Sequence, residues 1–331
     1  MIITRTPFRI SLFGGGTDYP AWYRDHGGAV LATTIDKYCY ISCRYLPPFF
    51  EHKHRIVYSK IENVQSVDEI AHPAVRAVLS EIPMERGLEI HHDGDLPARS
   101  GLGSSSSFTV GMIHALMALR GRYVSKEYLA GEAIRMEQSV LKEHVGSQDQ
   151  VSAAYGGFNI IEFTRDDHFV VSPMILGTAR VDDLQNHLML FFTGLSRFAS
   201  DVAKSKIDNF ARKATELHRM RAMVDDAIAI LQDAAVPITA LGDLLAEAWE
   251  YKRGLSDKVS TPEIDDIYAA ARNAGAIGGK LLGAGGGGFL LLFARPEAQA
   301  AIRKALSRLV HVPFRFESGG SRVVLYQPDG F

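Results

Sequence analysis

Cysteine is scarce in this sequence, with only Cys39 and Cys43 among 331 residues. Both lie in a segment that alternates as a strand does, so Cys39, Ile41 and Cys43 would share one face of it. A disulfide or a zinc site would need a better-placed second pair of ligands, and the sequence offers none. We therefore expect two free thiols in the core.

An excess of positive charge and long apolar runs are also absent. The 36 Lys and Arg residues against 38 Asp and Glu residues give a net charge of −2. No basic run is interleaved with aromatics, so nucleic acid is not an expected partner. No apolar run approaches the roughly 20 residues that span a bilayer, and the N-terminus lacks the regions of a signal peptide. We expect no membrane association and a cytoplasmic location.

The chain is long enough for two domains, and its 47% hydrophobic and 22% charged residues are typical of a well-packed globular protein. The first half is rich in strand patterns and the second half in helix patterns. The apolar pattern lapses near residues 176–185. The sequence therefore predicts an α+β protein with domains at residues 1–180 and 181–331.

Periodicity and turn residues predict the elements of both halves. The predicted strands cover residues 2–13, 28–35, 38–44, 55–58, 88–92, 158–163, 169–174, 188–192 and 290–293, with a hairpin around 318–320. The predicted helices cover residues 72–82, the apolar segment after Ser107, and residues 125–141, 199–234, 240–255, 261–275 and 296–309.

Residues 96–107, LPARSGLGSSSS, combine glycines and hydroxyls directly before an apolar helix pattern. Gly101 and Gly103 allow positive φ and a close approach to a ligand, while the N-terminus of the following helix offers free N–H groups and a positive dipole end. The segment predicts a phosphate-binding loop. Taken alone, it also fits a surface loop rich in Ser and Gly.

Three charged residues are candidates for function. Glu137 falls in the apolar stripe of helix 125–141, where a carboxylate is costly unless it is paired, hydrogen-bonded or bound to a metal. A glutamate at the stripe's edge that reaches solvent is the alternative. Asp149 follows Gly146-Ser-Gln among small residues, and Arg9 lies in the first strand. Alone, they are also consistent with a turn former and a salt-bridge partner.

Three separated motifs resemble those of the GHMP small-molecule kinases. They are residues 5–19, RTPFRISLFGGGTDY, residues 97–105, PARSGLGSS, and residues 280–289, KLLGAGGGGF, in the family's order. Their span covers nearly the whole chain. The resemblance implies an N-terminal domain like the second domain of ribosomal protein S5, a ferredoxin-like C-terminal domain, and an active site between them.

The resemblance implies ATP and Mg²⁺ as cofactors and gives the residues roles. Ser105 and Glu137 match the magnesium ligands, and a hydroxyl with a single carboxylate suits an ion that keeps several waters. Asp149 matches the catalytic aspartate that accepts a proton from the attacking hydroxyl, and Arg9 an arginine that keeps it ionised. Ser106-Ser107 replaces the usual Ala-Ala. The implied ATP-binding residues are Pro97, Ser100, Gly101, Leu102, Gly103, Ser104, Ser105 and Ser106.

The same resemblance limits which molecules could accept the phosphoryl group. Thr17-Asp18-Tyr19 resembles the sugar-binding segment of galactokinases, but Gly15-Gly16 stands where they carry Glu-His. Within the family, the pattern is most similar to the heptose 7-phosphate 1-kinases of surface-polysaccharide synthesis, and we expect the two glycines to leave room for a sugar longer than six carbons. The implied substrate-binding residues are Gly15, Gly16, Asp18, Gly146, Gly285, Gly286 and Arg197.

The resemblance thus implies phosphorylation of a small-molecule sugar phosphate at its anomeric hydroxyl. Lys37 and Arg44 are further candidates for its distal phosphate, and Lys280 for a phosphate or structural contact. Another sugar 1-kinase, of fucokinase or galactokinase type, and a non-catalytic sugar or nucleotide sensor are the alternatives. The sequence leaves the oligomeric state open.

Overall fold

The structure is a computed structural model that describes residues 1–98, 100–194 and 199–328, without the side chains of residues 199 and 200. Its strands are β1 (Ile2–Phe13), β2 (Gly28–Tyr45), β3 (His54–Val57), β4 (Ile61–Val64), β5 (Leu88–Gly94), β6 (Phe158–Phe163), β7 (Phe169–Pro173), β8 (Leu188–Phe192), β9 (Ala276–Leu281), β10 (Phe289–Ala294), β11 (Val310–His311), β12 (Phe316–Glu317) and β13 (Arg322–Tyr326).

The α-helices are α1 (Pro20–His26), α2 (Pro73–Glu81), α3 (Ser104–Leu119), α4 (Lys126–Ile134), α5 (Gln148–Tyr155), α6 (Thr178–His187), α7 (Ala199–Ile207), α8 (Ala214–Gln232), α9 (Thr239–Arg253), α10 (Pro262–Asn273) and α11 (Gln299–Ala305). A π-helical segment, Arg135–Val140, continues α4. Three short 3-10 turns cover Val67–Glu69, Phe210–Lys213 and Pro296–Ala298. No helix in the described part of the chain is long and apolar enough to cross a membrane.

Two sheets organise the chain. The larger, nine-stranded sheet has the central order β13-β1-β2-β5-β3-β4, with β6, β7 and β12 joined through β2, and the smaller sheet has the order β11-β8-β10-β9. The predicted α+β class is therefore confirmed. The division predicted at residues 180 and 181 falls inside α6, and β12 and β13 return from the second half to the larger sheet.

Helix α3 packs across the larger sheet, and the loop that precedes it belongs to residues 96–107, for which we predict phosphate binding and which are called the phosphate-binding loop below. Nearly all side chains of α3 are buried, as expected for a helix that is apolar on all sides. The close approach to β1 depends on Gly111, because a Cβ there would lie 2.9 Å from the Thr6 hydroxyl. The Thr4 hydroxyl also donates to the Gly111 carbonyl at 2.9 Å.

Several predicted elements are confirmed. Strand β6 has the predicted bounds, and Ser125 caps α4 by accepting a hydrogen bond from the Tyr128 N–H at 3.0 Å. Thr261 caps α10 in the same way, and Gly275 follows that helix with φ +107°. Cys39 and Cys43 are free and buried.

Other predictions are wrong in connectivity. The helix predicted over residues 199–234 is divided into α7, a 3-10 turn and α8. At the division, the Asn209 side chain donates to the Leu255 carbonyl at 3.0 Å. The predicted hairpin around residues 318–320 is absent from the described residues, because β12 pairs with β2 and β13 with β1. The two strands predicted over residues 28–44 form one strand, β2.

Candidate active site

The phosphate-binding loop has the backbone that its glycines predict. Gly101 and Gly103 have φ of +84° and +76°, and Gly103 is the N-cap of α3. A Cβ at Gly101 would lie 2.7 Å from the Leu282 carbonyl oxygen, so the loop needs glycine for space as well as conformation. The loop therefore packs closely on the segment around Leu282 and ends at the N-terminus of α3, whose free N–H groups can bind an anion.

The third glycine segment packs directly on this loop. A Cβ at Gly283 would lie 2.5 Å from the Gly101 Cα, and the Phe289 N–H donates to the Ser100 carbonyl at 3.1 Å. The two motifs, far apart in sequence, are thus brought together. Of the other predicted loop residues, Leu102 is buried, while Pro97 and Ser105 are exposed.

Arg9 and Asp149 form the central ion pair of the site. The Arg9 Nε and Nη2 donate to the two carboxylate oxygens of Asp149, each at 2.8 Å, and Nη1 donates to the Gly101 carbonyl at 2.7 Å. The side chain of Arg9 is 4% exposed and that of Asp149 is 26% exposed. The Asp149 carboxylate is therefore partly accessible, and it lies beside the loop, since a Cβ at Gly103 would lie 3.5 Å from its oxygen Oδ2.

Asp18 is a second, fully buried carboxylate in the same region. It accepts hydrogen bonds from the Gly16 N–H at 2.8 Å and from the Gln148 Nε2 at 2.9 Å. Burial raises the pKa of Asp18, and the negative charge of Asp149 adds to that rise. Gly146 leaves the space for this carboxylate, since a Cβ there would lie 1.9 Å from its Oδ2.

The two glycines before Asp18 have different surroundings. A Cβ at Gly16 would lie 3.3 Å from the Leu217 side chain, in an apolar cluster that also contains Leu255, so neighbouring side chains pack closely there. Gly15 is partly buried, and a Cβ there would lie 3.2 Å from the Ser11 hydroxyl. The room expected for a longer sugar stays a prediction.

Glu137 sits in the π-helical segment and is 1% exposed. Its Oε2 accepts hydrogen bonds from the Ser106 hydroxyl at 2.9 Å and from the Gln150 amide, while Oε1 is buried without a partner among the described residues. Burial raises the pKa of Glu137 to about 7. Ser106 thus holds the carboxylate of Glu137 in place, and the predicted role of Ser105 as a metal ligand stays a prediction.

This carboxylate fits a Mg²⁺ site of the kind that shares its ligands with a nucleotide. Within the described residues, no three His, Cys, Asp or Glu side chains converge as a complete protein cage. Mg²⁺ at phosphate sites needs only one or two carboxylates, because waters and phosphate oxygens supply the rest. The unpartnered Oε1 of Glu137 and the exposed hydroxyl of Ser105 are suitable donors.

Several residues predicted to contact the acceptor have other contacts within the protein. Gly285 packs against Val259, and the Gly286 N–H donates to the Val259 carbonyl at 2.9 Å. Lys37 pairs with Asp36 at 3.0 Å. Arg44, near the C-terminal end of β2, pairs with Glu89 on β5. The structure thus gives Lys37 and Arg44 other partners. Arg197 lies outside the described residues.

Three buried lysines are functional candidates that the sequence analysis left out or left unassigned. They are Lys206 on α7, Lys252 on α9 and Lys280 on β9. Lys280 donates to the Leu12 carbonyl at 2.9 Å, and Lys252 donates to the carbonyls of Leu281 and Gly283. Burial lowers the pKa of each of them. The carboxylate of Asp18 opposes that fall for all three lysines.

Comparison with known proteins identifies this arrangement. The model of the GHMP kinases N terminal domain matches residues 69–157, and that of the GHMP kinases C terminal domain matches residues 234–311. The chain belongs to the GHMP kinases. The phosphate-binding loop and Glu137 lie within the first matched range, and the third glycine segment lies within the second.

Two curated relatives of this GHMP kinase reach the same identity with different coverage. D-glycero-alpha-D-manno-heptose 7-phosphate kinase from Campylobacter jejuni is 30% identical over 93% of this chain and 93% of its own length. Mevalonate kinase from Pyrococcus abyssi is also 30% identical, over 70% of this chain and 67% of its own.

A solved structure of the family shares the fold of this GHMP kinase along almost the entire chain. The heptose 1-phosphate kinase from Bacteroides thetaiotaomicron superposes with a TM-score of 0.79 at 23% identity, and the match covers 98% of both chains. The predicted GHMP kinase fold is therefore confirmed. The family and the heptose kinase relative support the predicted enzyme class, a sugar kinase.

Proposed function

We propose that this GHMP kinase transfers a phosphoryl group from ATP to the anomeric hydroxyl of D-glycero-D-manno-heptose 7-phosphate, giving the 1,7-bisphosphate. The observation that carries the proposal is the Arg9–Asp149 pair, which holds a partly exposed carboxylate beside the phosphate-binding loop. Phosphoryl transfer requires mainly in-line positioning, charge neutralisation and a group that takes the hydroxyl proton. We assign these three requirements to residues of the site.

Asp149 is the proposed general base. Arg9 engages both of its oxygens, which fixes the orientation of the carboxylate. The Arg9–Gly101 hydrogen bond links that orientation to the loop, so the base and the phosphate-binding backbone keep one relative position. A hydroxyl placed against the open face of Asp149 can give up its proton as the new oxygen–phosphorus bond forms.

Asp18 and Gln148 are the proposed acceptor-binding residues. The Asp18 carboxylate is oriented by donors from Gly16 and Gln148, and the Gln148 Oε1 is buried without a hydrogen-bond partner within the described ranges. Two oriented oxygen acceptors suit a ligand with several hydroxyl donors. This favours a sugar over the alcohol of an isoprenoid precursor, and the more extensive match to a heptose kinase points the same way.

Glu137 and Ser105 are the proposed magnesium ligands. The bound ion would neutralise charge on the transferring phosphates. In this chain, Ser106 and Gln150 hold one oxygen of Glu137 and leave the other for the metal. The cytoplasmic location expected from the sequence stays a prediction.

The test is an ADP-release assay with Mg-ATP over a panel of acceptors: heptose 7-phosphate, free heptose, fucose, galactose and mevalonate. We expect heptose 7-phosphate to give the highest kcat/KM. The Asp149→Asn protein, prepared in parallel, controls for contaminating kinases and for ATP hydrolysis. A higher kcat/KM for free galactose, fucose or mevalonate would refute the acceptor. Binding of sugar and ATP without any transfer would point to a sensor.

A further inference from the structure

Lys206 is a buried cation with too few partners. It lies near the end of α7 and is 4% exposed. The one hydrogen bond of its ammonium among the described residues reaches the Tyr19 hydroxyl at 3.5 Å, the limit of such a bond, and Nζ lies 5.2 Å from the centre of that ring. An ammonium carries three N–H donors, and a buried donor without an acceptor is costly. The geometry thus leaves donors for a ligand oxygen.

The surroundings of Lys206 indicate which ligand. Tyr19 directly follows Asp18 in the chain, so the lysine is anchored to the acceptor side of the site. Burial lowers the pKa of Lys206 to about 8, and the carboxylates of Asp18 and Asp149 oppose that fall, Asp18 the more strongly. Arg9 faces the other way, toward the phosphate-binding loop, through its bond to Gly101.

We propose that Lys206 is an acceptor-binding residue, whose ammonium donates to an oxygen of the sugar phosphate that Asp18 holds. The inference rests on the proposed function and extends it to a residue of the second half of the chain. A carboxylate that accepts and an ammonium that donates can together bind neighbouring oxygens of one sugar. The shared chemistry is an acceptor oxygen, which a hydroxyl or the distal phosphate can provide.

Lys206 belongs to a group of buried basic side chains that influence one another. Burial lowers the pKa of Lys280, the positive charges of Arg9 and Lys206 lower it further, and the carboxylate of Asp18 opposes that fall. Lys252 belongs to the same group of charges, as Lys280, Lys206 and Arg9 each lower its pKa further. Lys206 stays mostly protonated at neutral pH, because its pKa is about 8, whereas that of Lys280 is about 7.

The substitution Lys206→Met tests the proposal, because methionine keeps the apolar stem and removes the charge. The matched control is Lys213→Met, since Lys213 lies nearby in the chain, is about one-third exposed and pairs with Glu216. Binding of heptose 7-phosphate, and separately of a non-hydrolysable ATP analogue, is measured by calorimetry. Thermal unfolding is recorded for each protein.

We expect Lys206→Met to weaken sugar phosphate binding at least about tenfold, the loss of one charged hydrogen bond. ATP-analogue affinity and the melting temperature should stay close to those of the wild type, and Lys213→Met should match the wild type throughout. Unchanged acceptor affinity would overturn the proposal. A fall in melting temperature with equal losses for both ligands would overturn it too, since it would show a structural role.

Two further arms identify the oxygen and separate this proposal from the proposed function. If Lys206→Met weakens heptose 7-phosphate but not free heptose, the lysine binds the phosphate; equal weakening of both assigns it to a hydroxyl. If the wild type prefers another sugar of the panel, the heptose assignment fails. The same comparison made with that sugar then tests Lys206 by itself.

Discussion

Replacing Asp149 with asparagine separates catalysis from stability. Arg9 donates to both carboxylate oxygens of Asp149 at 2.8 Å, and an asparagine offers one oxygen and places an amide N–H₂ against the second donor. One charged hydrogen bond is therefore lost, a cost of about 1.5 to 3 kcal/mol. Because the Asp149 side chain is 26% exposed and water can enter, we expect the lower end of that range.

The catalytic loss should be larger. A positioned general base contributes about 10²- to 10⁴-fold in rate, which corresponds to about 2.7 to 5.5 kcal/mol in the activation barrier. Asp149→Asn should thus lower kcat by 10²-fold or more. It should stay folded, because typical domains have about 5 to 15 kcal/mol of stability. Affinity for an ATP analogue should be retained, since the phosphate-binding backbone is intact.

The assays are steady-state kinetics with the best acceptor, calorimetry with the ATP analogue, and thermal unfolding. Asp225→Asn is the control, because Asp225 is an exposed partner of Arg221 at 2.7 Å and such pairs contribute less than about 1 kcal/mol. The control should behave as the wild type does. A kcat for Asp149→Asn within about threefold of the wild type, where general-base catalysis supplies at least 10²-fold, would remove Asp149 from the role of base.

Three smaller predictions follow from the geometry. In urea unfolding, Gly101→Ala should destabilise the protein by more than Gly121→Ala. Both glycines have positive φ, but a Cβ at Gly101 would lie 2.7 Å from a backbone atom, whereas a Cβ at Gly121 would meet open space. Equal losses of unfolding free energy would contradict this prediction. Ser105→Ala should raise the Mg²⁺ concentration that gives half the maximal rate. Ser106→Ala should instead lower the free energy of unfolding by about 1 kcal/mol, because it removes a hydrogen-bond donor to Glu137. The reverse pattern would exchange the roles of the two serines. Burial lowers the pKa of Lys280 from 10.5 to about 7. Above pH 7 the unfolded chain therefore binds more protons than the folded chain, and the free energy of unfolding rises with pH. Lys280→Met should flatten that rise between pH 7 and 10, and an unchanged slope would contradict this.

Motifs whose function depends on local backbone were predictable from the sequence. Gly101 and Gly103 directly before an apolar helix indicated positive φ and a helix N-terminus, and both are present. The caps Ser125 and Thr261 were equally local. These features depend on residues a few positions apart, so the chain's overall topology cannot change them.

Glu137 was predictable as an unusual residue but not in its contacts. A carboxylate in an apolar stripe indicated a function, and it is buried as expected. A π-helical turn carries it and alters the register of the stripe, and its carboxylate accepts a hydrogen bond from Ser106 on another helix. A uniform helical period cannot show such a local change.

Lys206 could have been identified as a candidate from the sequence, because of its position on its helix. It lies four residues after Val202 and three after Ala203, both of which are buried on α7, so it occupies the apolar face of that helix. The reasoning that singled out Glu137 applies equally to it. Its position beside Tyr19, 187 residues earlier, is a consequence of the tertiary fold and was beyond any local pattern.

The most direct test of the central claim is the structure of the product. Wild-type protein, Mg-ATP and heptose 7-phosphate are incubated, and the product is examined by phosphorus–proton correlation NMR. We predict one new phosphorus resonance that correlates with the anomeric proton, beside the unchanged distal phosphate. A phosphate attached to any other carbon, or no transfer to this acceptor, would contradict the account.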